Sequence, residues 1–174
     1  MARIVRLLLS VALILCVAAT AYANRKTDRI EYSLPADWDL ANSAGRSDYT
    51  LMEFVRKGDA LKSWKELVTV QNFAKTRRFH SPEDTLKDLK ALREKECPAS
   101  TEWNVIAQDS NSITYQWHAN ACLGQPEQVE LARIIYGKYN VFILHYAARV
   151  HELSKETKAT WTDWLRSVAV TPIG

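Results

Sequence analysis

From Ser112 to Asn120 the chain alternates. Ile113, Tyr115, Trp117 and Ala119 fall on one side, and Thr114, Gln116, His118 and Asn120 on the other. A period of two predicts an antiparallel strand. Similar β-rich runs predict strands over 29–34, 48–56, 67–73, 103–108, 128–136 and 139–147. Asp109-Ser110-Asn111 and the pair Gly137-Lys138 read as hairpin turns between them. Ser81-Pro82-Glu83-Asp84 predicts a helix start: Ser81 can cap, Pro82 suits the first helical position, and the acids suit the positive helix end. Leu86, Leu89 and Leu92 follow as a narrow buried stripe, Lys87, Lys90 and Arg93 form its solvated flank, and Pro98 stops the helix after Cys97. A second helix is predicted over 154–169, with Leu153, Trp161, Trp164, Leu165 and Val168 on its apolar side. Ser63 and Glu66 fit a capping box around Trp64, predicting a short helical turn. Strands, a helix, a four-strand meander and a terminal helix predict an α+β fold with an antiparallel central sheet and helices packed on it.

The N-terminus changes where this fold is expected to live. Arg3 and Arg6 precede an uncharged apolar run, and Ala21-Tyr22-Ala23 offers small residues where a signal peptidase needs them. Residues 1–23 thus read as a signal peptide, and 24–174 as one domain of a periplasmic or secreted protein with no stable membrane span. The rival route, lipidation at Cys16, meets Leu15 where a small residue is wanted. Cleavage removes two arginines and no acid, so the net charge falls from +3 to +1. That leaves no strong basic field to argue for nucleic acid. It also removes Cys16, leaving Cys97 and Cys122 as an even pair, read as a disulfide in an oxidising compartment. Closing that loop would stabilise the fold by roughly 3.5 kcal/mol in the chain-entropy model. The cysteines have no CxxC or HxxxH spacing beside them to favour zinc.

Several local patterns together resemble small exported bacterial proteins of the PsbP/Mog-like group. They are Leu34-Pro35-Ala36-Asp37-Trp38, the run from Ser63 to Gln71, the Ser-Pro helix start, Cys97-Pro98, Tyr115-x-Trp117, and Cys122-x-Gly124-Gln125-Pro126 followed by Glu130-x-x-Arg133. The likeness spans roughly residues 30–170. It implies a three-layer α-β-α sandwich and, by analogy with better-known members that act as interaction modules, a protein partner. No binding residue of that group carries over by position.

For chemistry, the hairpin registers suggest one constellation. If Gly137-Lys138 is a two-residue turn, Glu130 opposes His145; if the Cys122 loop closes symmetrically about Gly124, His118 opposes Glu130. His118, Glu130 and His145 would then share one row on one sheet face, with neighbouring Cβ atoms ~5 Å apart. Such a row can hold a divalent metal or run acid–base chemistry, or simply satisfy its own hydrogen bonds beneath a helix. Arg133, beside Leu131 and Ile135, is a candidate anion contact or a buried cation. GxSxG, P-loop, GxGxxG and HExxH patterns are absent from the sequence. The sequence therefore favours a non-enzymatic binding module without a cofactor; a small-molecule or metal-dependent enzyme built on the histidine–glutamate row is the alternative.

Overall fold

The computed structural model describes residues 26–76, 78–98 and 101–173, so the expected leader lies outside the described residues. Among the described residues, nine strands and two helices follow in the order β1 (Thr27–Glu31), β2 (Trp38–Arg46), β3 (Tyr49–Arg56), β4 (Glu66–Ala74), α1 (Pro82–Glu96), β5 (Thr101–Gln108), β6 (Ser112–Ala119), β7 (Gln128–Tyr136), β8 (Asn140–Ala148), α2 (Lys155–Ser167) and β9 (Ala169–Ile173). Two meanders, β2-β3-β4 and β5-β6-β7-β8, join where β4 pairs with β8. The result is a seven-stranded antiparallel sheet ordered β2-β3-β4-β8-β7-β6-β5. β1 and β9 form a separate two-stranded ribbon.

Helix α1 covers one face of the sheet and α2 the other. Ile113, Tyr115, Trp117, Ile134 and Ile143 pack with Leu86 on the α1 face. Val68, Leu131, Phe142, Leu144 and Tyr146 pack with Trp161 and Leu165 on the α2 face. This double covering explains why β7 and β8 read as nearly continuous apolar runs, while an edge strand alternates or turns polar. The aromatic centre of the α2 face is Trp161, which stacks on Tyr146 at 4.1 Å and meets Trp38 edge-on at 5.3 Å.

Four local expectations need correction. Strand β2 was not anticipated, because DLANSAGR is an exposed edge with no apolar alternation and a bulge between Leu40 and Asn42. Strand β9 was hidden by Pro172, a residue that strands tolerate at a sheet edge, and both strands of this ribbon are edges. Ser63 caps no helix: its N–H closes a turn on Ala60, and Glu66 already belongs to β4, opposite Ala148. The leucine stripe on α1 fades, with Leu86 buried and Leu92 51% exposed. Three-residue steps fall about 60° short of a full turn, so Leu92 has rotated off the face that Leu86 occupies. Arg93 is exposed as its place on the flank predicts, and its guanidinium also lies 5.2 Å from the centre of the Trp117 ring. Ser81 and Ser154 cap α1 and α2 as their sequence contexts suggest, accepting from Asp84 N–H and Thr157 N–H.

The cysteines bond to each other. Cys97 caps the end of α1 and Cys122 sits in the β6–β7 hairpin, with their Cα atoms 6.1 Å apart. No helix among the described residues is long and apolar enough to cross a membrane.

Candidate functional site

The expected row of His118, Glu130 and His145 divides, because both hairpin registers differ from the simple ones. In the β7–β8 hairpin Tyr136 opposes Val141, so four residues, not two, lie between the paired ends. Glu130 therefore opposes Ala147 and not His145. A shift of two keeps every side chain on its face. Glu130 still reaches diagonally to His145, whose Nδ1 hydrogen-bonds to the buried carboxylate. Burial pushes the Glu130 carboxyl up, but the electrostatic pull and hydrogen bond of His145, aided by the Trp117 indole and the Arg93 charge, outweigh it and hold the group below the usual carboxylate range.

In the β6–β7 hairpin the shift is one residue. Cys122 and Gln125 exchange both backbone hydrogen bonds around Leu123-Gly124, where both φ values are positive, at 51° and 75°. That is the two-residue hairpin turn whose twist matches its strands, and its centre lies between Leu123 and Gly124. Trp117 thus opposes Glu130, and His118 opposes Val129 on the other face. His118 finds a different carboxylate there. Its Nε2 lies 2.9 Å from Glu127 Oε1, and His151 Nδ1 lies 2.7 Å from the same oxygen. These hydrogen bonds hold the Glu127 carboxyl below its ordinary range, and Glu127 in turn raises His151. The sequence reading missed Glu127 and His151. A centre of symmetry at Leu123-Gly124 would have placed Glu127 diagonally beside His118.

Arg133 lies where the sequence put it, beside Leu131 and Ile135, but its guanidinium is occupied. It donates to the carbonyls of Leu165 at 2.9 Å and Arg166 at 3.4 Å, and to Ser112 Oγ at 3.1 Å. A cation over the last carbonyls of α2 complements the negative end of the helix. Burial pulls its pKa down, against the opposing charge of Asp109.

A larger feature occupies the opposite end of the sheet. Two adjoining hollows, of about 370 and 670 Å³, share Arg46, Asp48, Tyr49 and Ala74 and run from the β2–β3 turn past the end of β4 to the β7–β8 turn. Lys26, Arg46, Lys75, Arg78 and Lys138 line this trough, and Asp48 is the one carboxylate among the lining residues. Asp48 is already paired, accepting from Arg46 Nε at 2.8 Å. Lys75 lies 5.0 Å above the Tyr136 ring and Lys138 5.3 Å above Tyr139. The floor is rigid. Asp28 is buried, and its Oδ2 accepts from the backbone N–H of Tyr139 at 2.6 Å and of Asn140 at 2.8 Å. Asn140 Nδ2 in turn donates to Asn72 Oδ1 at 2.7 Å. A Cβ at Gly137 would overlap the Asp28 carboxylate, so this turn needs glycine for close approach.

No family model matches the chain, and no curated protein matches it. Solved structures similar in fold include the following three. The Ran-binding protein Mog1p of Saccharomyces cerevisiae has 11% identity and a TM-score of 0.46, over 80% of this chain and 83% of that one. LpqN of Mycobacterium tuberculosis, involved in cell envelope biogenesis, has 14% identity and a TM-score of 0.46, over 86% and 87%. A protein of Bacteroides thetaiotaomicron has 11% identity and the same TM-score over 86% of this chain, which spans 48% of that one. Likenesses this distant say nothing about what this chain binds.

The chemistry of these groups is therefore of two kinds. The Glu130–His145 pair is enclosed and satisfies itself, whereas the cation-lined trough and the His118–Glu127–His151 group face solvent. Among the described residues, this last group brings three metal-ligating atoms within 4.8 Å of one another.

Proposed function

We propose that the chain is an exported, non-enzymatic binding module that takes an acidic segment of a protein partner in the trough between the β2–β3 and β7–β8 turns. The observation that carries this reading is the charge imbalance there: five basic side chains against one carboxylate already paired with Arg46. On a chain expected to carry +1 once cleaved, that is a local concentration, not a general basic surface. Clustered cations around a concave, solvent-open surface raise the local concentration of anionic partners and speed their encounter. The Tyr139 ring beneath Lys138 lines the trough and adds contact area at small cost in side-chain freedom. A peptide fits better than nucleic acid because a chain this near neutrality offers little charge beyond the trough for a phosphate backbone to follow. Export is supported by the leader-like first 23 residues and by the Cys97–Cys122 bond. The resemblance to the exported PsbP/Mog-like group points the same way.

The test is fluorescence anisotropy with a labelled glutamate-rich peptide, beside a lysine-rich peptide and a single-stranded oligodeoxynucleotide. The acidic peptide is expected to bind, weakening as salt rises, and the K75E/K138E double variant to lose at least tenfold in affinity. Equal binding by the double variant, or tighter binding of the oligonucleotide, would overturn the proposal.

A further inference from the structure

His118, Glu127 and His151 come from three separate stretches: the end of β6, the residue before β7, and the segment after β8. They meet on the α2 side of the sheet at the end remote from the trough. Both imidazoles aim a ring nitrogen at one carboxylate oxygen, at 2.9 and 2.7 Å, and the rings meet edge to face with centroids 5.1 Å apart. We infer that this group is a binding site for a zinc-class divalent cation, held by His118 Nε2, Glu127 Oε1 and His151 Nδ1.

The geometry needs little adjustment. A proton shared between nitrogen and oxygen holds those atoms in much the same direction as a cation bound to both. Metal–ligand bonds of about 2.0–2.2 Å would draw together three donors that already lie within 4.8 Å of one another. The donor set selects the ion's class: two imidazoles and one carboxylate suit Zn²⁺, Ni²⁺ or Cu²⁺, whereas Mg²⁺ and Ca²⁺ demand oxygen ligands.

The supports differ in rigidity in a way that suits a site open to exchange. The His118 side chain is 13% exposed and is clamped between β5 and β7. Glu127 follows the hairpin that Cys122 ties to the end of α1. The His151 side chain is 79% exposed, which leaves coordination positions for water or for a ligand from outside. Glu102, directly across β5 from His118, adds negative charge beside the group. The cation would clip the segment after β8 to the disulfide-bearing hairpin. This inference is independent of the trough, which lies at the other end of the sheet.

The test titrates ZnCl₂ into the intact chain, oxidised at Cys97 and Cys122, in chelator-free buffer by isothermal calorimetry. One equivalent is expected to bind. H151A, at an exposed position where the fold should persist, is expected to lose at least about tenfold in affinity while keeping the parent melting temperature in EDTA. E127Q, which keeps the shape but weakens the ligand, is expected to behave similarly. H145A is expected to bind zinc as the parent does, and MgCl₂ to give no saturable heat. Absence of saturable zinc binding, parental affinity in H151A, or loss confined to H145A would each overturn the site.

Discussion

At the end of the sheet where β3 begins and β4 stops, the chain is held by a buried carboxylate. Asp28 binds two backbone N–H groups of the β7–β8 turn, and Gly137 lets it come close. At the opposite end, where β6 stops and β7 begins, a covalent bond ties the hairpin to α1. The first end carries the cation-lined trough and the second the His118–Glu127–His151 group. The same sheet thus presents two solvent-facing polar sites, each on a turn that is braced from behind. Bracing and exposure go together in this molecule. The Glu130–His145 pair differs from both: it sits within the strands, away from any turn, on the face that α1 covers.

The largest expected effect comes from removing the covalent brace. The C97S/C122S variant should lose about 3.5 kcal/mol of unfolding free energy, the chain-entropy value for a loop of this length, read as a lowered denaturant midpoint. If the ends are independent, the acidic peptide should bind this variant as it binds the parent, while zinc binding weakens. Loss of peptide binding as well would show that the two ends are mechanically coupled, and the comparison would break.

The reciprocal experiment is somewhat smaller. Asp28→Ala leaves the N–H groups of Tyr139 and Asn140 without their acceptor in a buried or half-buried setting. The cost should be about 3 kcal/mol. The turn bearing Lys138 should also lose its fixed position, so the acidic peptide should bind more weakly while zinc affinity holds. An Asp28→Ala protein with parental stability would mean that the buried carboxylate does not brace this end.

How far the residues alone revealed this arrangement depends on which interactions set each feature. Strands β5 to β8, both helices and the Cys97–Cys122 pair were legible, because apolar periodicity, serine caps and cysteine parity are local signals. Edge strand β2 was not, since its residues are mostly exposed and carry no period. The candidate row shows the limit most clearly. The two-residue error at Gly137-Lys138 left Glu130 and His145 in contact, because the side-chain period is itself two. The one-residue error at Leu123-Gly124 sent His118 to the other face and to Glu127. Nothing local marks that choice, because Leu123 is an unusual residue for a position with φ of 51°. Side-chain type pointed to the chemistry, a carboxylate between two histidines, but the turn decided which carboxylate.

That turn offers the smallest and sharpest prediction. Leu123 is 76% exposed, so its side chain gives little packing in return for a left-handed backbone. Asparagine tolerates that conformation far better, and Asn-Gly is the preferred pair for a two-residue turn with both φ values positive. Leu123→Asn should therefore stabilise the protein by about 0.5–1 kcal/mol, read as a raised denaturant midpoint with an unchanged slope. Because the substitution favours the register centred between residues 123 and 124, it should also hold His118 opposite Val129 and leave zinc affinity intact or slightly tighter. A destabilised variant would mean that the hairpin does not close at Leu123-Gly124. His118 would then lose its place beside Glu127, and the contrast between an exposed braced site and an enclosed pair would have to be redrawn.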